Sequence, residues 1–356
     1  MKKLLTYVGA SVLALSLMQC GTDKPTDGGN ETVQDSTSTE LVHETTKLPE
    51  FTPERFADLR ILQYEVPGFD ELQLSQKKML YYLVQAAHSG RDIIYDQKYK
   101  HNLRIRKTIE AIFKSYKGDK SGADWDNFVV YAKRVWFSSG IHHHYAETKM
   151  IPEFSSEYFA ELVKNSDLSL IPVMEGQDLD AFLAMLKPVM VDPTVDGKHV
   201  NKAKGEDLLT TSANNFYSGV NQEEAEKFYK GVKKKDEKNP ISYGLNSQLA
   251  KVEGESQYAT GFENKDLGIV ENLWCVGGEN HASGKPGMYA EAMQEMVNWL
   301  KKAADVAENE KQKEGIESLI AYYLTGDLKK FDEYSITWAK NTEGDIDFIH
   351  GFIEVY

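Results

Sequence analysis

Apolar residues in the first half of the chain recur at the three- and four-residue spacing that lines one face of a helix. Met79, Leu80, Leu83, Val84 and Ala87 share such a face, with Ser75 placed to cap its start and Gly90 to end it. Ile105, Ile109, Ile112 and Phe113 predict a second helix. Phe128, Val129, Ala132, Val135 and Trp136 predict a third, closed by Gly140. A fourth follows Ser155, with Phe159, Leu162 and Val163 on its apolar side. Further on, Asn221-Gln222-Glu223-Glu224 reads as a capped helix start. The pattern then changes. Asn246 to Val252 and Gln257 to Phe262, split by Gly254-Glu255-Ser256, predict a β-hairpin. Helical spacing returns in Met293, Met296, Val297, Leu300 and Ala304 behind Pro286, and again in Ile316, Leu319, Ile320 and Tyr323. The expected fold is therefore mainly α with a small β portion, an α+β chain built on a helical bundle. Ile346, Phe348, Ile349, Phe352, Ile353 and Tyr356 form an apolar, aromatic end. Chain ends are usually polar, so an element cut in mid-fold is expected there.

The first residues follow a different logic. Lys2 and Lys3 precede an uncharged apolar stretch, Leu4 to Met18, shorter than a membrane span and of the length of a signal-peptide core. Leu17-Met18-Gln19-Cys20-Gly21 resembles the bacterial lipobox. That resemblance implies a signal peptide over residues 1–19 and lipidation of Cys20. Residues 20–48 are rich in Thr, Ser, Asp, Glu and Gly, a composition that cannot bury enough surface to offset ordering entropy, and are expected to be a disordered tether. The expected location is the cell envelope, with the chain lipid-anchored to the outer membrane on its periplasmic or surface face.

Charge and cysteines narrow the picture further. A net charge of -14 argues against nucleic acid as a partner, because its phosphates would be repelled. The chain has two cysteines; with Cys20 lipidated, Cys275 has no partner for an internal disulfide. The fold must then rest on its apolar core.

Candidate chemistry is sparse. His142-His143-His144 is the most visible cluster, but neighbouring residues on a helix point about 100° apart and no known zinc spacing is completed nearby. Exposed polar histidines at a helix end are expected, and no metal ligand is assigned. Glu223-Glu224-Ala225-Glu226 suits the positive end of a helix dipole. Neither His-Glu-x-x-His nor His-Glu-x-x-x-His occurs, and no phosphate loop or nucleophile elbow is present.

Three segments in order add a resemblance. Gly140 to Pro152, Thr211 with Asn214 to Gly219, and Gly351-Phe352-Ile353-Glu354-Val355-Tyr356 resemble successive stretches of dipeptidyl peptidase III proteins. The last, Gly-Phe-Ile-Glu-x-Tyr, is the most specific. The resemblance implies a two-lobed zinc exopeptidase that releases dipeptides from peptide N-termini. It implies that Glu354 binds the substrate ammonium, that Tyr356 is catalytic through its hydrogen bond to the scissile carbonyl, and that Tyr145 lies near the amine-side subsite. In an extended strand, residues two apart face one side about 6–7 Å apart, close to the reach of two substrate residues. The family's zinc ligands follow this last segment. Residues 49–356 are therefore expected to be the helical N-terminal lobe, truncated before the zinc-binding C-terminal lobe. Zinc belongs to the complete enzyme, and this chain is expected to bind none and to lack hydrolysis. The alternative is a non-catalytic peptide-binding lipoprotein.

Overall fold

The computed structural model describes residues 51, 53–233, 238 and 241–350. They fall into two compact units, one ending at Val66 and one beginning at Pro67. The first holds a short hairpin of β1 (Glu54–Phe56) against β2 (Leu59–Ile61).

The second unit is mainly helical. It runs through α1 (Leu74–Ser89), α2 (Arg91–Lys98), α3 (Asn102–Ser115), α4 (Ala123–Ser138), α5 (Ser156–Lys164) and α6 (Leu179–Val191). Next come β3 (Tyr217–Ser218), α7 (Gln222–Val232), β4 (Ser247–Lys251), β5 (Thr260–Asn264) and β6 (Ile269–Leu273). It closes with α8 (Ala290–Ala304), α9 (Glu310–Thr325) and α10 (Leu328–Lys340). Two clusters of side chains carry most of the core. One gathers residues of α2 to α6 around Phe128, Phe182, Ile105 and Leu162. The other packs α1 against α8, α9 and α10 around Met79, Val297, Ile316 and Tyr322. Both are apolar stripes that no single helix could bury alone.

The ends of the helices follow local chemistry. Ser155 accepts the Tyr158 amide at the start of α5, as its position predicts. Asn221 and Glu224 form a reciprocal capping box on α7. At α1 the expectation is corrected. Ser75 lies inside the first turn, and the box is made by Gln73 with Gln76. Two glutamines thus do the work usually left to a hydroxyl and a carboxylate. Helices α2, α6 and α10 have no counterpart in the periodicity described above. Helix α2 spans eight residues, α6 carries Pro188 in its last turn, and α10 buries only Phe331 and Tyr334.

The hairpin expectation is also corrected. Both strands form, but they do not pair with each other. The sheet order is β3-β4-β6-β5, with β6 antiparallel to both of its neighbours and β3 parallel to β4. All five residues of β6 are buried, Glu271 and Asn272 included, so this strand takes the inner position and uses both of its hydrogen-bonding edges. The true hairpin joins β5 to β6 through Lys265–Gly268, where Gly268 adopts φ 64.

Candidate functional site

The turn that follows α4 carries Tyr145. Helix α4 ends on Ser139 in the left-handed region, and Gly140 follows with φ +153. A Cβ on Gly140 would sit 2.1 Å from Nδ2 of Asn102, whose Oδ1 accepts the Ile141 amide at 3.0 Å. Only glycine fits this close approach. From there the chain folds back on itself. His143 N donates to Thr148 O, and Met150 N donates to Ile141 O. Nδ1 of His143 accepts the amides of Tyr145 and Ala146 at 3.1 and 2.9 Å. The turn is then stapled to a second loop. Lys149 N donates to Gly197 O at 2.9 Å, and His199 N donates to Glu147 O at 2.8 Å. Lys149 Nζ donates to Asp192 O at 2.8 Å and to Val195 O.

Tyr145 stands at the tip of this turn and is 83% exposed. The backbone beneath it is hydrogen-bonded on both sides, so an exposed ring is presented on a fixed base. Phe137 lies edge-on to His144, the residue before Tyr145, with ring centroids 4.8 Å apart.

The histidine run corrects the expectation of exposed residues. His144 is exposed and His143 partly so, but His142 is buried. Nε2 of His142 lies 2.7 Å from the Asp196 carbonyl, so that nitrogen carries the proton. Nδ1 of His142 and Nε2 of His199, also buried, have no hydrogen-bond partner. The two rings lie 6.1 Å apart beside Lys98, whose Nζ donates to Ser138 O at 2.9 Å. Burial pushes both imidazoles down to about 4, with the Asp196 carbonyl opposing the shift at His142 and the His142 and Lys98 charges adding to it at His199. Burial likewise lowers the Lys98 amine, against the pull of Glu147. No spacing in the sequence links residues 98, 142 and 199; their meeting is tertiary. Among the described residues, no three His, Cys, Asp or Glu side chains converge so as to hold a metal ion.

A second polar cluster joins the helices to the sheet. Asp96 of α2 accepts from Tyr289 Oη at 2.7 Å and from Asn215 Nδ2 at 3.0 Å. Gln248 of β4 donates to the Asn215 carbonyl and side chain, both at 2.9 Å. Burial raises the Asp96 carboxyl, while the Tyr289 and Asn215 hydrogen bonds hold it down. Asn215 belongs to the Asn214–Gly219 segment, which delivers Tyr217 and Ser218 to the sheet edge. Both polar atoms of the Asn215 side chain thus have protein partners.

The third predicted segment begins at Gly351. Glu354 and Tyr356 lie outside the described residues, as does Cys20. The chain leading to Gly351 is described, and it is firmly held. Glu308 accepts the Asp345 and Ile346 amides at 3.1 and 2.8 Å, together with Gln76 Nε2 at 2.8 Å. Gln312 donates to Ile346 O at 2.8 Å. Trp338 Nε1 donates to Asp347 Oδ1 at 2.9 Å and to Phe348 O at 3.1 Å. His350 then sits among the rings of Tyr322, Tyr323, Phe331 and Tyr334. Ile346 is buried as its apolar character predicts, whereas Ile349 is 68% exposed.

No curated protein matches the chain. Residues 209–356, which include β3, the rest of the sheet, α7 to α10 and the Gly351–Tyr356 segment, match the model of peptidase family M49, the dipeptidyl peptidase III family.

Proposed function

We propose that this chain is a member of peptidase family M49 and that its Gly351–Tyr356 segment holds the free N-terminus of a peptide from which a dipeptide is released. The observation that carries this reading is the family match, which runs through that segment. Glu354 supplies a carboxylate for the substrate ammonium, a charge-assisted bond worth about 1.5–3 kcal/mol. Tyr356, two residues on, donates a hydrogen bond to the carbonyl of the bond to be cleaved. Tyr145 offers an aromatic surface for the first substrate side chain, supported by its exposure on a fixed turn. The described side chains offer no fit for the zinc of a metallopeptidase, so the role argued for these residues is to bind and orient substrate.

Cys20 is proposed as a lipid attachment point that holds the protein at the cell envelope, supported by the basic and apolar residues ahead of it. Labelling with a radioactive fatty acid in a bacterial host should be lost in Cys20→Ser. Label retained in that variant would remove the anchor from the account.

Calorimetric titration tests the peptide reading. The full chain should bind an unblocked tetra-alanine peptide about tenfold or more tighter than its N-acetylated form, the ratio expected from one ammonium–carboxylate pair. Equal affinity for the two forms would remove amine recognition. Binding without release of dialanine in the presence of zinc would favour the non-catalytic peptide-binding alternative.

A further inference from the structure

Two buried imidazoles that take no part in the proposed substrate contacts line one small cavity. His142 and His199 are 5% and 4% exposed, and Nδ1 of the first and Nε2 of the second have no partner among the protein atoms. The other nitrogen of each ring is engaged. Nε2 of His142 meets the Asp196 carbonyl at 2.7 Å, and His199 hydrogen-bonds the backbone of Lys98, an interaction that favours its protonated form and is therefore a donation to the carbonyl. A neutral imidazole carries one ring proton, and in both residues a carbonyl fixes where it sits. The two remaining nitrogens are bare lone pairs. The ring centroids lie 6.1 Å apart, within reach of one bridging group. Lys98, Asn102 and Glu147 line the same cavity, whose volume is about 10 Å³, close to the room that a single water needs.

Buried polar atoms almost always find a partner, and two orphans on one cavity point to a shared one. That partner must donate twice, because both nitrogens are acceptors. Lys98 adds the opposite demand. Its Nζ donates one hydrogen to Ser138 O at 2.9 Å and has two more to place. A group between them must then donate to the imidazoles and accept from the ammonium. An anion can only accept, and would face two lone pairs. A metal cation would take the lone pairs, but it would sit beside an ammonium with too few side-chain ligands. Glu147 already opposes the Lys98 charge, so the cavity calls for no counter-ion. Water offers two donors and two acceptors in the volume available.

We propose that this cavity binds one water molecule, which donates to His142 Nδ1 and His199 Nε2 and accepts from Lys98 Nζ. The three side chains come from separate parts of the chain. Lys98 ends α2, His142 opens the turn that presents Tyr145, and His199 follows the loop that holds Asp192 and Asp196. The water links all three. It adds a side-chain connection to the backbone staples between turn and loop, from His199 N to Glu147 O and from Lys149 N to Gly197 O.

A crystal structure of the full chain at neutral pH tests the assignment. The expected map shows one peak at about 2.7–3.2 Å from both nitrogens and from Lys98 Nζ. A dry cavity overturns the proposal. So does a peak at about 2.0–2.1 Å from the nitrogens, the length of a metal bond, or an anomalous peak there after a bromide soak. The ring protons give a second check that needs neither a crystal nor a variant. Nitrogen-15 shifts at pH 7 should place the proton of His142 on Nε2 and that of His199 on Nδ1. The opposite tautomer in either ring, or an imidazolium, removes the pair of acceptors and overturns the site. The link between segments is read in His199→Phe, which keeps a ring and removes its lone pair. Amide exchange over 141–150 and 192–199 should speed up about tenfold in that variant while α9 keeps its protection. Unchanged exchange overturns the link.

Discussion

Burial of His142 and His199 contributes to the acid response of this protein. Burial pushes the His142 and His199 imidazoles down to about 4 in the folded chain, against an ordinary value of about 6.5 once unfolded. Between those values the unfolded chain binds more protons than the folded one. Stability contributed by the two rings is therefore complete above pH 6.5 and is lost as pH falls towards 4. Each ring contributes a slope of up to about 1.4 kcal/mol per pH unit inside that window. Urea denaturation at pH 7, 6 and 5 should show a falling midpoint, and a His142→Gln variant should flatten the dependence. A midpoint constant from pH 7 to 5 would contradict the burial argument. The sequence showed the His142–His144 run but not its environment. Adjacent histidines look alike in a string of letters, and what separates buried His142 from exposed His144 is the Asp196 carbonyl and the Asn102 contact at Gly140, both distant in sequence. Tyr145 was named through the family resemblance alone, and its exposure on the turn was not legible in the sequence.

At the scale of elements, the legible features are the ones written locally. The capping box of α7, the stop at Gly90 and the apolar faces of α3, α4, α5, α8 and α9 depend on residues within a few positions of each other. Helix α7 gives the cleanest test, because its cap is reciprocal and its start lies at the surface. Asn221→Ala removes one half of the box and should lower stability by about 1 kcal/mol, measured by chemical denaturation. A loss below the error of the measurement would mean that Gln222, which donates its amide to Asp207, fixes the start of α7 alone. Strand pairing was not legible to the same degree. β4 and β5 were found, but their partner β6 carries Glu271 and Asn272 in the buried centre, so its apolar run is broken. Glu271 is tolerated there because Ser247 and the Phe262 amide donate to it, at 3.3 and 3.0 Å, and burial raises its carboxyl. A pattern based on apolar residues passes over such a strand.

For the molecule as a whole, the mainly helical fold is as the periodicity predicts, and the match of residues 209–356 to the M49 family model covers the second and third of the three ordered segments. The proposed substrate contacts at Glu354 and Tyr356 lie near one end of the sequence. Glu308, Gln312 and Trp338 tie residues 345–348 to α1, α9 and α10, and the aromatic enclosure of His350 completes the approach to Gly351. On the proposed reading, the scaffold is a platform for a short segment that binds a peptide. Removing the Glu354 carboxylate is the most direct test of this claim. Calorimetric titration of Glu354→Gln should give equal affinities for tetra-alanine and N-acetyl-tetra-alanine, with the preference for the free amine predicted for the unsubstituted chain abolished and thermal stability unchanged. A variant that keeps the full preference would place amine recognition elsewhere and contradict the account.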